Sequence, residues 1–411
     1  MNLHSIDFEK VRPRGVATPC RAGISIARAF ALLSGVSLAG CRDAVDQRAE
    51  EPALSVAATT ISWDPKSGMK QIASTKGCDS WTPTWAPDGN LYTAYGDCRP
   101  KGAPQKLGMG FGRLSGATGY GITFTPVPTG DPLDWDDAAT GAGVEALGGG
   151  PASEKPAGML QVDGRLWYWI RNITPGAGTG VRLKFSADYG SANPQFTWAS
   201  WSVPEIGYAS FVQYGKGYAG GPTRYVYAVI PMRSGTTGSV SNSAYDLIPA
   251  FGLIRGSRSD LTVQGNWKYF CGSSTTPAWC SSPAAARNVF FLSGKKFAPR
   301  AGMSWNRPLG KFMLSLVYDP TPATTGDSPR FFGGLMILVA PTPWGPWETV
   351  FSSGGTWPGG TSSSVCGTTG WGAGERADIP TKYISGDGKT FYLFSSGGDC
   401  LSIARGVLQT P

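Results

Sequence analysis

One pattern recurs five times along the chain and limits its fold more than any other feature. Each copy is an apolar aromatic strand, a turn with glycine and often aspartate, and a second apolar strand. The copies read TWAPDGNLYTAYGD (84–97), LQVDGRLWYWIRN (160–172), FVQYGKGYAGGPTRYVYAVIP (211–231), MSWNRPLGKFMLSLVYDP (303–320) and KYISGDGKTFYLFSSGGD (382–399). A lone hairpin is marginally stable in water. A multi-strand unit repeated at roughly 50–95 residues buries its faces by stacking copies around an axis, as a β-propeller does. Further strand-like runs, VRLKFS (181–186), FGLIRG (251–256) and GLMILVA (334–340), supply third strands. Glycine at 58 residues and proline at 32, with 15 Trp and 15 Tyr and no long amphipathic helix, point the same way. The expected fold is all-β, a five-bladed β-propeller over residues 61–411.

The N-terminus reads as an export signal. Arg12, Arg14, Arg21 and Arg28 precede an apolar stretch from Ala29 to Leu33 that runs on to Leu38-Ala39-Gly40-Cys41. The stretch is too short for a transmembrane helix. Its end looks like a bacterial lipobox, with Cys41 the lipidated residue and membrane anchor; an ordinary signal peptide cleaved nearby is the alternative. Residues 1–40 are thus expected to be a lipoprotein signal peptide and 41–60 a lipidated, polar tether. Arg42, rather than Asp, after the cysteine favours the outer membrane of the cell envelope. Removing 40 of 411 residues leaves 371, and with them go five basic and two acidic side chains, so the net charge falls from +8 to +5. No basic run forms a face for nucleic acid. The chain is expected to be a monomer.

Six cysteines remain after Cys20 and Cys41: Cys78, Cys98, Cys271, Cys280, Cys366 and Cys400. An even count in an exported chain suggests disulfides, with fifteen possible connectivities. Short loops favour Cys78–Cys98, Cys271–Cys280 and Cys366–Cys400. No CxxC pair supports a metal site, and none is expected. The only histidine, His4, lies in the export segment. A histidine-free mature chain excludes Ser-His-Asp and Cys-His catalysis, so acid–base work falls mainly to carboxylates.

Residues 78–98, CDSWTPTWAPDGNLYTAYGDC, carry such carboxylates. Cys78 and Cys98 are equidistant from Asp88, as are Asp79 and Asp97. Opposed residues of an antiparallel pair share a face, so Asp79 and Asp97 are expected to face each other at one end of blade one. Facing carboxylates repel, which raises one pKa and leaves an acid beside a base. As a catalytic pair they would imply retention of configuration, whereas a partner from another blade would imply inversion. Loop capping or a structural Asp pair is the bland alternative.

Several segments together resemble one family: Asp79-Ser80-Trp81 with DGNLYTAYGD, YGKGYAG (214–220), YVYAVIP (225–231), NWKYFCG (266–272), Pro277-Ala278-Trp279, WNRPLGKFML (305–314) and WGPWETVF (344–351). They are similar to an exported five-bladed propeller family, long a domain of unknown function, some bacterial members of which are endo-D-arabinanases. The resemblance spans about 62–409. It implies a polysaccharide partner containing arabinofuranose, such as arabinogalactan. It assigns no catalytic residues by itself. Apart from a structural calcium ion, no cofactor is expected.

Further candidates come from position. Glu375, just before the blade-five inner strand, is the expected acid or base, with Arg376 its electrostatic partner; a surface ion pair is the alternative. Glu154 and Lys155 precede the inner strand of blade two. Arg300 precedes that of blade four, where its fork suits sugar hydroxyls or a carboxylate. Trp81 and Trp305 are candidates for stacking on sugar, as is Trp135; Trp85, Trp167, Trp169, Trp344 and Trp347 read as core. Asp131, Asp134, Asp136 and Asp137 suit a structural calcium ion or a solvated loop. Ser186-Ala187-Asp188-Tyr189-Gly190 resembles the start of an Asp-box turn, but Asn193 breaks the match. Asp399 repeats the Gly-Asp-Cys of blade one and reads as a structural corner. A glycan-binding propeller without catalysis and an envelope scaffold that binds protein are the other two functional readings.

Overall fold

The Pro87-Asp88-Gly89-Asn90 turn folds as its residues dictate. Gly89 takes φ +88°, and Asp88 accepts hydrogen bonds from the Asn90 amide and the Tyr92 hydroxyl, each at 2.9 Å. Thr84 pairs with Tyr92 and Trp85 with Leu91, a register symmetric about Asp88. The computed structural model describes residues 60–64, 70–75, 77–98, 107–127, 146–147, 153–174, 177–319, 333–353, 375–396 and 399–409, with 73, 98, 107, 146 and 147 by backbone alone. The export segment, Cys41, the tether up to residue 59, the 131–137 acidic loop with Trp135, and Cys366 lie outside the described residues.

Each hairpin extends into a four-stranded antiparallel meander, and there are five. Blade one runs from Thr84–Trp85 through Leu91–Cys98 and Leu107–Ser115 to Thr123–Pro126. Blade two is Lys155–Val162, Arg165–Thr174, Thr179–Ser186 and Thr197–Val203. Blade three begins Ser210–Gln213, Tyr225–Met232, Ala250–Ser257 and Trp267–Phe270, and blade four is Lys296–Asn306, Lys311–Asp319, Gly334–Ala340 and Glu348–Ser352. Blade five takes Ala377–Asp378, Thr390–Ser395 and Ser402–Gln409 from the end of the chain and Thr60–Trp63 from its start. Thr60 to Trp63 pair in register with Gln409 to Gly406. The first and last strands therefore close the ring with backbone hydrogen bonds. The protein is an all-β, five-bladed propeller.

Inner strands meet around the axis. Those of blades three and four run parallel, Val212 against Met303 and Gln213 against Ser304. Close approach requires glycine at two of these contacts. A Cβ on Gly158 would lie 2.5 Å from the Ala209 carbonyl, and one on Gly302 would lie 2.3 Å from that of Ala377. Outward from the axis, aromatic side chains fill the wedges between blades. Trp169 meets Phe211 and Trp267 at centroid distances of 6.0 and 5.1 Å. Burying side chains of this size contributes about 1.5–3 kcal/mol each.

One sequence expectation changes here. Trp81 is 2% exposed and packs edge-on against Phe124 at 5.3 Å, so it is core and offers no face to a sugar. Trp305 lies at the far end of the blade-four inner strand from Arg300, against Phe312 at 4.6 Å. Among the tryptophans read as core, Trp167 and Trp169 are buried, and Trp85, Trp344 and Trp347 are partly buried against core clusters. The Cys271–Cys280 disulfide is present. Cys78 and Cys400 are also disulfide-bonded; the side chains of Cys98 and Cys366 lie outside the described residues. At the incomplete Asp-box, Ser186 donates to Asp188 at 2.7 Å and closes a local turn.

Candidate active site

Charged residues gather where the inner strands begin, and backbone irregularities aim them. In blade one Asp79 pairs with Gly96, while Thr82 bonds to Ala94, so three residues of one arm span two of the other. The extra residue is a bulge at Ser80, whose φ is +56°. The bulge shifts the predicted register by one, so Asp79 does not face Asp97. Blade two carries one extra residue between Pro156 and Gly158, and blade four two between Phe297 and Ala301. At the end of the second strand, Asp97, Asn172 and Asp399 hold the same left-handed corner, with φ +50°, +62° and +50°. Short Asx side chains tolerate that conformation. The corner turns Asp97 toward blade two, where it forms an ion pair with Lys155.

Three carboxylates here are each held by a cation. Asp97 pairs with Lys155, Glu375 with Arg300, and Asp378 with Arg376. Arg300, not Arg376, is thus the partner of Glu375. Glu375 also accepts from the Ser80 hydroxyl at 3.3 Å, which ties blade five to the residue beside Asp79. Burial lowers the Lys155 pKa, against the raising fields of Asp97 and Asp79.

Asp79 differs from these. It is 4% exposed, and among the described residues its carboxylate has no ion-pair or hydrogen-bond partner. It is packed over Gly96, where an added Cβ would lie 2.7 Å from Asp79 Oδ1. Glycine at 96 is the space the carboxylate occupies.

Arg376 lies deeper. Its guanidinium grips Asp378, with Nη2 to Oδ1 at 2.8 Å, and crosses to the Ala157 carbonyl at 2.6 Å, the Ser210 hydroxyl at 2.8 Å and the Tyr208 hydroxyl at 3.0 Å. It pins blades two, three and five together. Burial pushes the Asp378 carboxyl up, and Arg376 draws it part of the way back.

Three residues not nominated from the sequence complete the cluster. Arg171 donates to the Pro156 carbonyl at 3.0 Å, to Asn172 Oδ1 at 3.4 Å and to the Tyr245 hydroxyl at 2.9 Å. Asn172 Nδ2 donates to the Ser153 carbonyl at 3.0 Å and to the Tyr245 hydroxyl at 2.7 Å. The Arg300 guanidinium lies 5.9 Å from the Tyr245 ring centre and the same from that of Tyr208. Burial would raise the Tyr245 pKa, but Arg171, the Asn172 hydrogen bond and Arg300 together carry it below its ordinary value.

Glu154 does not join this group. It lines a separate cavity of about 230 Å3 with Ile173, Arg182, Ser200, Trp201 and Ser202 on the outer side of blade two. The described residues hold no group of three or more His, Cys, Asp and Glu side chains able to bind a metal ion.

No family model matches the sequence, and no curated protein does. Solved structures share backbone similarity with it. They include the xyloglucan PUL protein GH43B of Bacteroides ovatus, at 11% identity and TM-score 0.42, over 80% of this chain and 50% of that one, so that the chain spans half of its length. An α-L-arabinofuranosidase of Podospora anserina in complex with cellotriose matches at 11% and 0.42, over 85% and 97%. A Bacillus subtilis arabinanase matches at 10% and 0.39, over 79% and 95%. Likeness at this level bears on neither substrate nor residue roles.

Proposed function

We propose that the protein is a glycoside hydrolase of the cell envelope that cuts within an arabinofuranose-containing polysaccharide, and that Cys41 anchors it in the outer membrane. One observation carries the catalytic reading. Among the described residues Asp79 is a nearly buried carboxylate without an ion-pair partner, beside three carboxylates that each have one. A structural carboxylate at this depth is normally paired. An unpaired one is suited to take a proton from water. Glu375, tied to Ser80 and ion-paired with Arg300, adds a carboxylate where the sugar ring develops positive charge in an oxocarbenium-like transition state. The sequence resemblance supplies the substrate class.

The test is hydrolysis of mycobacterial arabinogalactan, plant arabinan and sialylated glycans by the full chain and by Asp79→Asn. Release of D-arabino-oligosaccharides that vanishes in the variant is the expected result. Product that persists in Asp79→Asn removes that residue from the chemistry. Binding without cleavage by the folded parent, unchanged in Asp79→Asn, favours the glycan-binding module instead.

A further inference from the structure

We propose that Tyr245 is the proton donor to the departing glycosidic oxygen, a role that rests on the hydrolase reading above. The argument begins with the valence of one hydroxyl. Arg171 Nη1 lies 2.9 Å from the Tyr245 oxygen and Asn172 Nδ2 lies 2.7 Å from it. A guanidinium has donors and no acceptor. The Asn172 amide is oriented by its other contacts, since the same Nδ2 meets the Ser153 carbonyl while Oδ1 accepts from Arg171. Both neighbours therefore donate to the phenol oxygen. The phenol's own proton has no acceptor among the described residues. Tyr245 is partly exposed, whereas Arg171, Asn172 and Arg300 are each 2% exposed. The one group of this cluster with a proton left to give is the one a ligand can touch.

The neighbouring carboxylates already have partners. Asp97, Glu375 and Asp378 are each held by a cation. The charged groups that face Tyr245 are Arg171 from blade two and Arg300 from blade four, and both stabilise the phenolate left after donation. In the balanced step, the oxygen of water bonds to the anomeric carbon as the bond from that carbon to the glycosidic oxygen breaks. Asp79 takes one water proton, and Tyr245 gives its proton to the departing oxygen. Exchange with solvent restores both groups, with one water consumed per bond cut.

The experiment compares the full chain with Tyr245→Phe on arabinogalactan and on phenyl, 4-nitrophenyl and 2,4-dinitrophenyl D-arabino-oligosides. Removing a general acid is expected to lower kcat/KM by roughly 10²–10⁴-fold on the polymer and the phenyl glycoside. The loss should shrink stepwise toward the dinitrophenyl glycoside, whose leaving group needs no proton. Misfolding would lower all substrates alike, and an equal loss across the series overturns the proposal. A general acid works protonated, so parent activity should fall as pH rises through the Tyr245 pKa, which lies below the ordinary 10.0. That alkaline limb should be absent in Tyr245→Phe, and its persistence counts against the role. An ultraviolet difference titration, parent minus variant, should show one phenol ionising below 10.0; ionisation at or above that value also overturns it. A parent that cleaves none of these substrates, yet shows the early phenol, sinks the hydrolase reading and the acid role with it. An active parent with fully active Tyr245→Phe sinks Tyr245 alone.

Discussion

Arg171 and Arg376 are buried to nearly the same degree, 2% and 4% exposed, yet their surroundings differ in kind. Arg376 holds Asp378 through two nitrogens and uses its remaining donors on Ala157 of blade two and on Tyr208 and Ser210 at the start of blade three. Among the described residues Arg171 has only neutral acceptors: two backbone or amide oxygens and a phenol. The first arrangement neutralises the charge and locks the axis. The second gives the cation no carboxylate among the described residues and leans it on a titratable hydroxyl. Equal burial thus supports two different purposes, and the counterion tells them apart.

The largest effect should come from the lock. Arg376→Met strands the Asp378 carboxylate in the interior and is expected to cost about 3–5 kcal/mol of unfolding free energy, read by denaturant titration. Arg376→Met with Asp378→Leu should recover much of that, because the uncompensated charge is gone. Arg171→Met should cost less than Arg376→Met and should raise the Tyr245 pKa, since it removes a cation that lowers it. If the two single variants lose equal stability, or the Tyr245 titration does not move, the distinction between lock and mouth fails.

Next come two changes around Asp79 that separate chemistry from stability. Asp79→Asn should lower kcat/KM by roughly 10²–10⁴-fold, as loss of a general base does, with little change in the melting temperature. Gly96→Ala keeps the carboxylate but places a methyl 2.7 Å from Asp79 Oδ1, a distance at which something must shift. A displacement of about 1 Å in a catalytic group is enough for roughly a hundredfold loss. The expected split is a drop in kcat with KM nearly unchanged. Unaltered kcat in Gly96→Ala would mean that the position of the Asp79 carboxylate does not matter.

What could be read in the sequence depended on range. The five hairpins, three of their third strands and the symmetric turn at Asp88 were legible because each is local and strongly patterned. The mirrored Asp79 and Asp97 were legible as neighbours but not in register, because a single left-handed residue at Ser80 adds a step that no residue preference announces. Glu375 and Arg300 could be nominated from their places before inner strands, but their pairing could not. Asn172 had a usable signal: it ends its hairpin where Asp97 and Asp399 end theirs. Tyr245 had none, since it follows the second strand of blade three and meets Arg171 and Asn172 only after the ring closes, 74 and 73 residues away in the chain.

The comparison of the two arginines rests on burial, and an exposed pair tests that premise at the small end of the scale. Arg258 forms an ion pair with Asp163, whose side chain is 51% exposed, and also donates to the Pro222 carbonyl at 2.8 Å. Water screens such a pair, so Asp163→Asn should cost less than about 1 kcal/mol, and less still at high salt. Asp163 holds φ +52° in the hairpin turn before Gly164. Asparagine tolerates that conformation and a β-branched side chain does not, so Asp163→Val should cost more than Asp163→Asn at every salt concentration. The salt-dependent part of the loss then reports the ion pair and the salt-independent part the turn. A loss in Asp163→Asn as large as that in Arg376→Met would mean that burial does not set the value of these pairs, and the contrast between Arg376 and Arg171 would need another cause.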